Sequence, residues 1–153
     1  MIWRILVIWC LLALPAIAAS SDNDILQAME RRGFSVEAIA KAKKDCGANT
    51  YAMVVCSTYD YVAREIALDR LLGEDQRYPS AACKKRIVRA HEKWLARAIE
   101  KCSKSAEKDV GAGGTAIPIV SASCSTEQMD GRIKKLMNVG RCSPCSRCMP
   151  PKF

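Results

Sequence analysis

Cysteine is the residue type that most constrains how this chain can fold. The 153 residues contain nine cysteines. One of them, Cys10, lies in residues 1–19, which have one early charge, a short apolar run and a small-residue exit. This pattern is typical of a secretory signal peptide, and its apolar run is shorter than the roughly 20 residues of a membrane span. Removal of the segment leaves eight cysteines in an oxidising compartment, which predicts a disulfide framework in a periplasmic or secreted protein.

The predicted mature chain is basic. Without Arg4 it carries 23 Lys and Arg against 16 Asp and Glu, a formal charge of +7. No Gly-rich phosphate loop accompanies this charge and aromatic residues are few, so we expect no nucleic-acid partner. His91 is the single histidine, which excludes multi-histidine metal sites, and no recognisable nucleophile accompanies it. We expect neither an enzyme nor a cofactor, and no membrane span after signal cleavage.

The hydrophobic pattern predicts an all-α fold, a small disulfide-braced bundle of about five helices. Caps and glycine stops predict helices over residues 24–32, 35–46, 49–72 and 80–105, with Asp22, Ser35, Asn49 or Thr50, and Ser80 at their starts.

The region after residue 105 is less clear. Residues 109–114 read as a glycine loop, and residues 115–125 fit either a helix with Pro118 in its first turn, which we prefer, or a short extended piece. Ser125 or Thr126 is expected to cap a final helix that ends at Gly140.

Two helices show a periodic apolar face. In the third, this face comprises Ala52, Cys56, Tyr59, Ala63, Ile66 and Ala67. In the fourth, a single stripe comprises Cys83, Ile87, His91, Trp94, Ala98 and Cys102. We expect Trp94 to be a core anchor and His91 to be a packed histidine.

Several spaced residues resemble those of a known family. They are Cys46 with Cys56 ten positions later, Glu65-x-x-Leu68-Asp69, Trp94 with Cys102 eight positions later, Gly113-Gly114-Thr115, and Cys124 followed by Arg132 and Leu136. In order and spacing they resemble the LprI-like lysozyme inhibitors, which are small exported bacterial helical domains. The resemblance covers about residues 45–139.

The resemblance implies a division of the chain and a candidate binding loop. A helical extension (20–44) precedes the family-like domain (45–140), and a tail rich in cysteine and proline (141–153) follows it. The family's four cysteines imply disulfides Cys46–Cys56 and Cys102–Cys124, and turns at Gly47 and at Gly113-Gly114 would bring each pair together. The exposed turn Gly113-Gly114-Thr115 is the candidate loop for binding a lysozyme.

Four further cysteines lie outside the family pattern: Cys83, Cys142, Cys145 and Cys148. Their spacing is compatible with zinc, but export favours disulfides. A redox role is disfavoured because Pro144, Pro150 and Pro151 leave no helix to lower a thiol pKa.

The positive net charge of the predicted mature chain is compatible with two kinds of partner. A lysozyme of the common animal type is itself basic, so a partner at +7 meets long-range repulsion. Anionic polymers of the cell envelope are electrostatically easier partners. We therefore expect a non-enzymatic envelope protein that binds a lysozyme, with a structural or binding role towards anionic polymers as the alternative.

Overall fold

The computed structural model describes residues 21–139, which form five α-helices. These are α1 (Asp22–Arg31), α2 (Val36–Lys44), α3 (Thr50–Gly73), α4 (Ala81–Val110) and α5 (Ile117–Val139), with a short 3₁₀ helix (Asp75–Arg77) between α3 and α4. This part of the chain contains no strand. The all-α prediction is therefore confirmed.

Side-chain caps fix where the helices begin. The hydroxyl oxygens of Ser35 and Ser80 each accept a hydrogen bond at 3.2 Å from the backbone N–H three residues ahead. The Oδ1 atom of Asn49 accepts the corresponding bond at 2.9 Å. All three caps agree with the sequence pattern. The prediction that Asp22 caps the first helix is wrong. Ser21 caps α1, because its hydroxyl oxygen accepts a hydrogen bond from the Asp24 backbone N–H at 3.3 Å. The first helix accordingly begins two residues earlier than expected.

Helix α3 lies at the centre of the bundle, where it contacts α1, α2 and α5. One core cluster joins Met29 of α1 and Ile39 of α2 to Val55 and Val62 of α3. Because α3 has neighbours on several sides, its buried residues are not confined to one stripe. The single face predicted for it was therefore incomplete: Ala52 is buried as expected, but the fully buried Val55 and Val62 were missed.

A second core cluster joins the later part of α3 to α4 and α5. Its buried members are Leu68, Leu72, Cys83, Ile87, Met129 and Leu136. The stripe predicted for α4 is buried at five of its six positions, and Trp94 is half-buried against this cluster. Helix α4 packs mainly on α5 and makes few contacts with α3. One long side of α4 therefore faces away from the bundle.

The chain after residue 105 differs from the sequence expectation in two ways. Helix α4 continues to Val110, so the connection between α4 and the next helix is shorter than predicted. The two helices expected after it are one continuous helix, with Pro118 in its first turn as preferred. Ser125 and Thr126 therefore do not cap a helix. Ser125 is buried, and the Thr126 hydroxyl donates to the Ala122 carbonyl at 2.9 Å, a bond that a hydroxyl makes inside a helix.

Two disulfides join consecutive helices. Cys46–Cys56 links the segment after α2 to α3, with 5.9 Å between the Cα atoms. Cys102–Cys124 links α4 to α5 across the turn, with 5.6 Å between the Cα atoms. Both are the pairs that the family resemblance implied. Within residues 21–139, no helix combines the length and apolar composition that a membrane crossing requires.

Candidate functional site

The turn between α4 and α5, residues 111–116, is exposed but has a defined backbone. Gly111 and Gly113 have φ angles of 88° and 80°, in the left-handed region that glycine adopts readily. The Gly114 N–H donates to the Gly111 carbonyl at 3.1 Å, and the Gly114 carbonyl accepts the Ile117 N–H at 3.1 Å. Ala112, Gly113 and Thr115 are exposed between these bonds. We call residues 111–116 the α4–α5 turn.

Gly114 is required by a close approach of the chain to itself. A Cβ atom at this position would lie 2.5 Å from Cγ1 of Val110 and 3.2 Å from the carbonyl oxygens of Val110 and Gly111. Side chains do not tolerate contacts this short without displacement. Glycine at 114 therefore keeps the turn tight, and the Cys102–Cys124 disulfide holds together the two helices that carry it.

The turn also presents backbone donors. The N–H groups of Ala112, Gly113 and Thr115 make no hydrogen bond within the described chain. Successive free backbone N–H groups in a turn form favourable positions for anions. The turn carries no charged side chain, so its chemistry is that of a neutral, donor-rich protrusion.

Trp94, His91 and Arg132 form a cluster where α4 faces α5. The imidazole of His91 and the indole of Trp94 lie 5.6 Å apart between ring centroids. The guanidinium carbon of Arg132 lies 5.3 Å from the centroid of Trp94. His91 and Arg132 are buried, at 5% and 2% exposure. Trp94 thus supports a buried cation through a cation–π contact, which burial strengthens.

Burial governs the protonation of this cluster. Burial, and to a lesser degree the positive charge of Arg132, lower the pKa of His91 from 6.5 to about 4. The pKa of Arg132 is also lowered by burial. The Nδ1 atom of His91 has no hydrogen-bond partner among the described residues. A neutral histidine with no nucleophile or carboxylate bonded to it is suited to packing rather than to proton transfer.

The acidic family positions lie on α3. Glu65 accepts a hydrogen bond from Arg32 at 2.6 Å, which ties α3 to the end of α1. Desolvation raises the pKa of Asp69, and the negative charge of Glu65 one turn earlier raises it further. Leu68 between them is buried at 1% exposure. Leu68 therefore contributes to helix packing, whereas Asp69 and the Glu65–Arg32 pair lie at the surface.

Sequence reasoning missed a groove of about 270 Å³ beside α3, α4 and α5. Its lining includes Arg32, Thr58, Tyr61, Ile99, Ser121 and Ser125. The Arg32 guanidinium carbon lies 5.9 Å from the centroid of the Tyr61 ring. The hydroxyls come from helices distant in sequence, so no local motif indicates the groove. Only the alignment of α3 with α5 brings them together.

Of the four cysteines outside the family pattern, the structure describes one. Cys83 is buried at 2% exposure and is disulfide-bonded. Cys142, Cys145 and Cys148 lie outside the described residues, so the pairing of this second group remains a prediction. Among residues 21–139, no group of three or more metal-ligating side chains comes together.

The fold and its bracing define a class of protein: a small all-α domain in which disulfides join consecutive helices. Within that class, the sequence matches the family described as Lysozyme inhibitor LprI over residues 40–136. The match covers more than half of the chain, and the protein belongs to this family. It is a family of inhibitors rather than of catalysts. Comparisons with curated proteins and with solved structures found no match.

Proposed function

We propose that the protein is a non-enzymatic lysozyme inhibitor that binds its target through the α4–α5 turn. Membership of the lysozyme-inhibitor family is the observation that carries this proposal. The exposure and fixed backbone of the turn support its role as the binding element. The contrast between the mostly buried family positions and the exposed turn supports it further.

Most family positions have a structural role in this chain. Leu68, Arg132 and Leu136 are buried, and Trp94 packs against the second core cluster. The four family cysteines form the two disulfides. Gly113-Gly114-Thr115 is the family feature that lies in an exposed turn between two helices. Exposed residues of a loop are more commonly used for binding than residues of the core.

The chemistry of the turn fits a lysozyme cleft. Lysozymes cleave glycosidic bonds with two carboxyl groups in a cleft. A narrow turn with free N–H groups at Ala112, Gly113 and Thr115 can donate hydrogen bonds to those carboxylates. Hydrogen bonds to ionised acceptors are roughly twice as strong as neutral ones. The turn can therefore bind carboxylates even though it carries no Lys or Arg.

The bracing of the turn also favours binding. Ordering a flexible loop on association costs about 0.5–1.5 kcal/mol for each immobilised side chain. Here the backbone is fixed by two hydrogen bonds and by the Cys102–Cys124 disulfide during folding. Little ordering remains to be done when a partner binds.

Net charge predicts an unusual dependence on salt. The predicted mature chain at +7 and a basic lysozyme repel each other at long range, and salt screens that repulsion. Inhibition that depends on short-range contacts of the turn should therefore strengthen as salt rises from low to moderate concentration.

A peptidoglycan-lysis assay tests the proposal directly. Signal-free protein should inhibit at least one lysozyme when animal-type and other lysozymes are compared. Replacing Ala112 with Trp should abolish inhibition, because the large side chain projects from the exposed turn. Ala40→Trp is the matched control, since Ala40 is exposed on α2. Unchanged far-UV circular dichroism would show that both variants are folded. Equal inhibition by the two variants would refute the assignment of the turn, and no inhibition of any lysozyme would refute the function.

The same proposal places the protein outside the cytoplasm. Disulfides persist in oxidising compartments, and two are present in the described chain. A periplasmic or secreted protein is in the compartment where a lysozyme reaches peptidoglycan. Fractionation of cells that express the full sequence should place the mature protein in the periplasm or the medium.

A further inference from the structure

The positive charge of the described chain is concentrated on one helix. Helix α4 contains nine Lys and Arg against four Asp and Glu, a formal charge of +5. The rest of residues 21–139 contains 11 Lys and Arg against 12 Asp and Glu, a formal charge of −1. The basic character of the folded part is therefore a local property of α4.

The cations of α4 include a regular row, which we call the α4 basic row. It consists of Lys85, Arg89, Lys93, Arg97 and Lys101, each four residues after the last. Side chains at this interval lie on one ridge of a helix. With a rise of 1.5 Å and a turn of about 100° per residue, successive positions are about 6 Å apart along the axis, and the row extends about 24 Å while it winds about 160° around the helix.

The row is open to solvent, and Glu92 is the α4 carboxylate that lines the same surface depression as Lys85 and Arg89. All five residues are exposed, and none makes an ion pair within the described part of the chain. The α4 ion pairs that do form use cations outside the row: Lys84 with Asp75 at 2.5 Å and Lys104 with Glu100 at 2.7 Å. Helix α4 packs mainly on α5, so no other described helix covers the row.

We infer that the α4 basic row binds a linear polyanion of the cell envelope, a chain of phosphate or carboxylate groups that lies along the helix. A row of five cations that extends over about 24 Å of the helix matches an extended polymer better than a compact anion. Attraction of this kind arises from many weak contacts and from release of counterions. Binding of this kind does not require a deep pocket.

Other anionic partners fit this surface less well. Single-stranded nucleic acid is normally bound by aromatic stacking beside the cations, and the only aromatic residue of α4, Trp94, packs against the core. Insertion into a membrane surface requires a broad apolar face next to the cations. Ile99, at 41% exposure, is the large apolar side chain that α4 exposes.

The polymer surface is separate from the proposed lysozyme-binding turn. The row runs along the flank of α4, whereas the turn lies beyond its last residue, Val110. Polymer binding therefore does not depend on lysozyme inhibition, and either activity can fail without the other. Together they would hold the protein in the envelope layer that a lysozyme must enter.

The experiment compares two triple variants of equal charge. Arg89→Gln with Lys93→Gln and Arg97→Gln removes three cations from the centre of the row. The control replaces three exposed cations elsewhere that have no ion pair in the described chain, with Lys41→Gln, Lys44→Gln and Lys134→Gln. Binding of the chain without its signal peptide to polyphosphate, to poly-glutamate and to anionic lipid vesicles is measured by calorimetry at several salt concentrations. Far-UV circular dichroism checks that each variant is folded.

The wild-type protein should bind at least one of the two polymers and release it as salt rises. The row variant should lose about tenfold or more in affinity, and the slope of log K against log salt should fall by about 2, as expected for three lost contacts. The control should stay within about twofold of wild type. Arg89→Lys with Arg97→Lys, which keeps the charges, should retain binding.

The choice between the two polymers identifies whether phosphate or carboxylate is the preferred group. Equal losses in the row variant and the control would show that only net charge matters, which would overturn the assignment of the row. Binding to neither polymer, or binding only to anionic lipid vesicles, would overturn the inference.

Discussion

Burial of His91 should make the stability of the protein depend on pH in a defined window. In the folded protein, burial and the charge of Arg132 lower the pKa of His91 from 6.5 to about 4. The unfolded chain therefore takes up a proton near pH 6.5, whereas the folded chain does not until about pH 4. Protonation then favours unfolding, so this contribution to stability is complete above about pH 6.5 and is lost as pH falls towards 4.

The magnitude follows from the size of the shift. A change of one pKa unit corresponds to about 1.4 kcal/mol, so the shift of His91 corresponds to about 3 kcal/mol. That is a large fraction of the 5–15 kcal/mol by which a typical domain is stable. Acidification should thus weaken the contact between α4 and α5 more than that between α1 and α2.

Urea unfolding of wild type and of His91→Gln at pH 7.5 and at pH 4.5 measures this effect. Glutamine fills similar space and does not titrate. Carboxylates that titrate in the same range are common to both proteins, so they cancel in the difference between them. The wild type should lose about 2–3 kcal/mol more than the variant on acidification. Parallel losses in the two proteins would refute the assignment of a buried neutral histidine.

Three further predictions concern the covalent bracing and the turn. Replacing Cys102 and Cys124 together with Ser should lower the free energy of unfolding by about 3 kcal/mol, as measured by urea denaturation, because the disulfide closes a loop of 22 residues. Gly114→Ala should destabilise by about 1–3 kcal/mol through contact with Val110. Gly131→Ala is its control and should stabilise by about 0.5–1 kcal/mol, because Gly131 lies within α5 with open space around it; equal effects would contradict the close approach at 114. Intact mass after alkylation of the native protein should show no added label if all eight mature cysteines are paired.

The first four helices could be predicted from the sequence because their signals are local. Ser35, Asn49 and Ser80 cap helices through bonds three residues ahead, and these bonds depend little on the rest of the fold. The α4 stripe was also predictable, since that helix has one principal neighbour. The buried positions of α3 were not, because a helix with several neighbours has no single apolar face.

The prediction of two helices where the structure has the single helix α5 failed for a different reason. Ser125 and Thr126 are good caps in isolation, but a hydroxyl can instead bond to the carbonyl one turn back, as Thr126 does. The sequence contains both possibilities, and packing of α5 against α3 and α4 selects the continuous helix. Arg132 was noted as a family position, but its burial beside Trp94 depends on the alignment of α4 with α5. The α4–α5 turn was predicted as exposed because its glycines mark a turn without reference to tertiary contacts.

The Cys102–Cys124 disulfide has a consequence for how the protein responds to proteolysis. Together with the intervening chain it closes a covalent ring that contains the whole α4–α5 turn. A protease that cuts the turn would open this ring without releasing either helix, since the sulfur bridge still joins them. The cut ends would remain near each other, and the two fragments would separate only after reduction. A protein of this design can lose a peptide bond at its most exposed point and still remain one molecule.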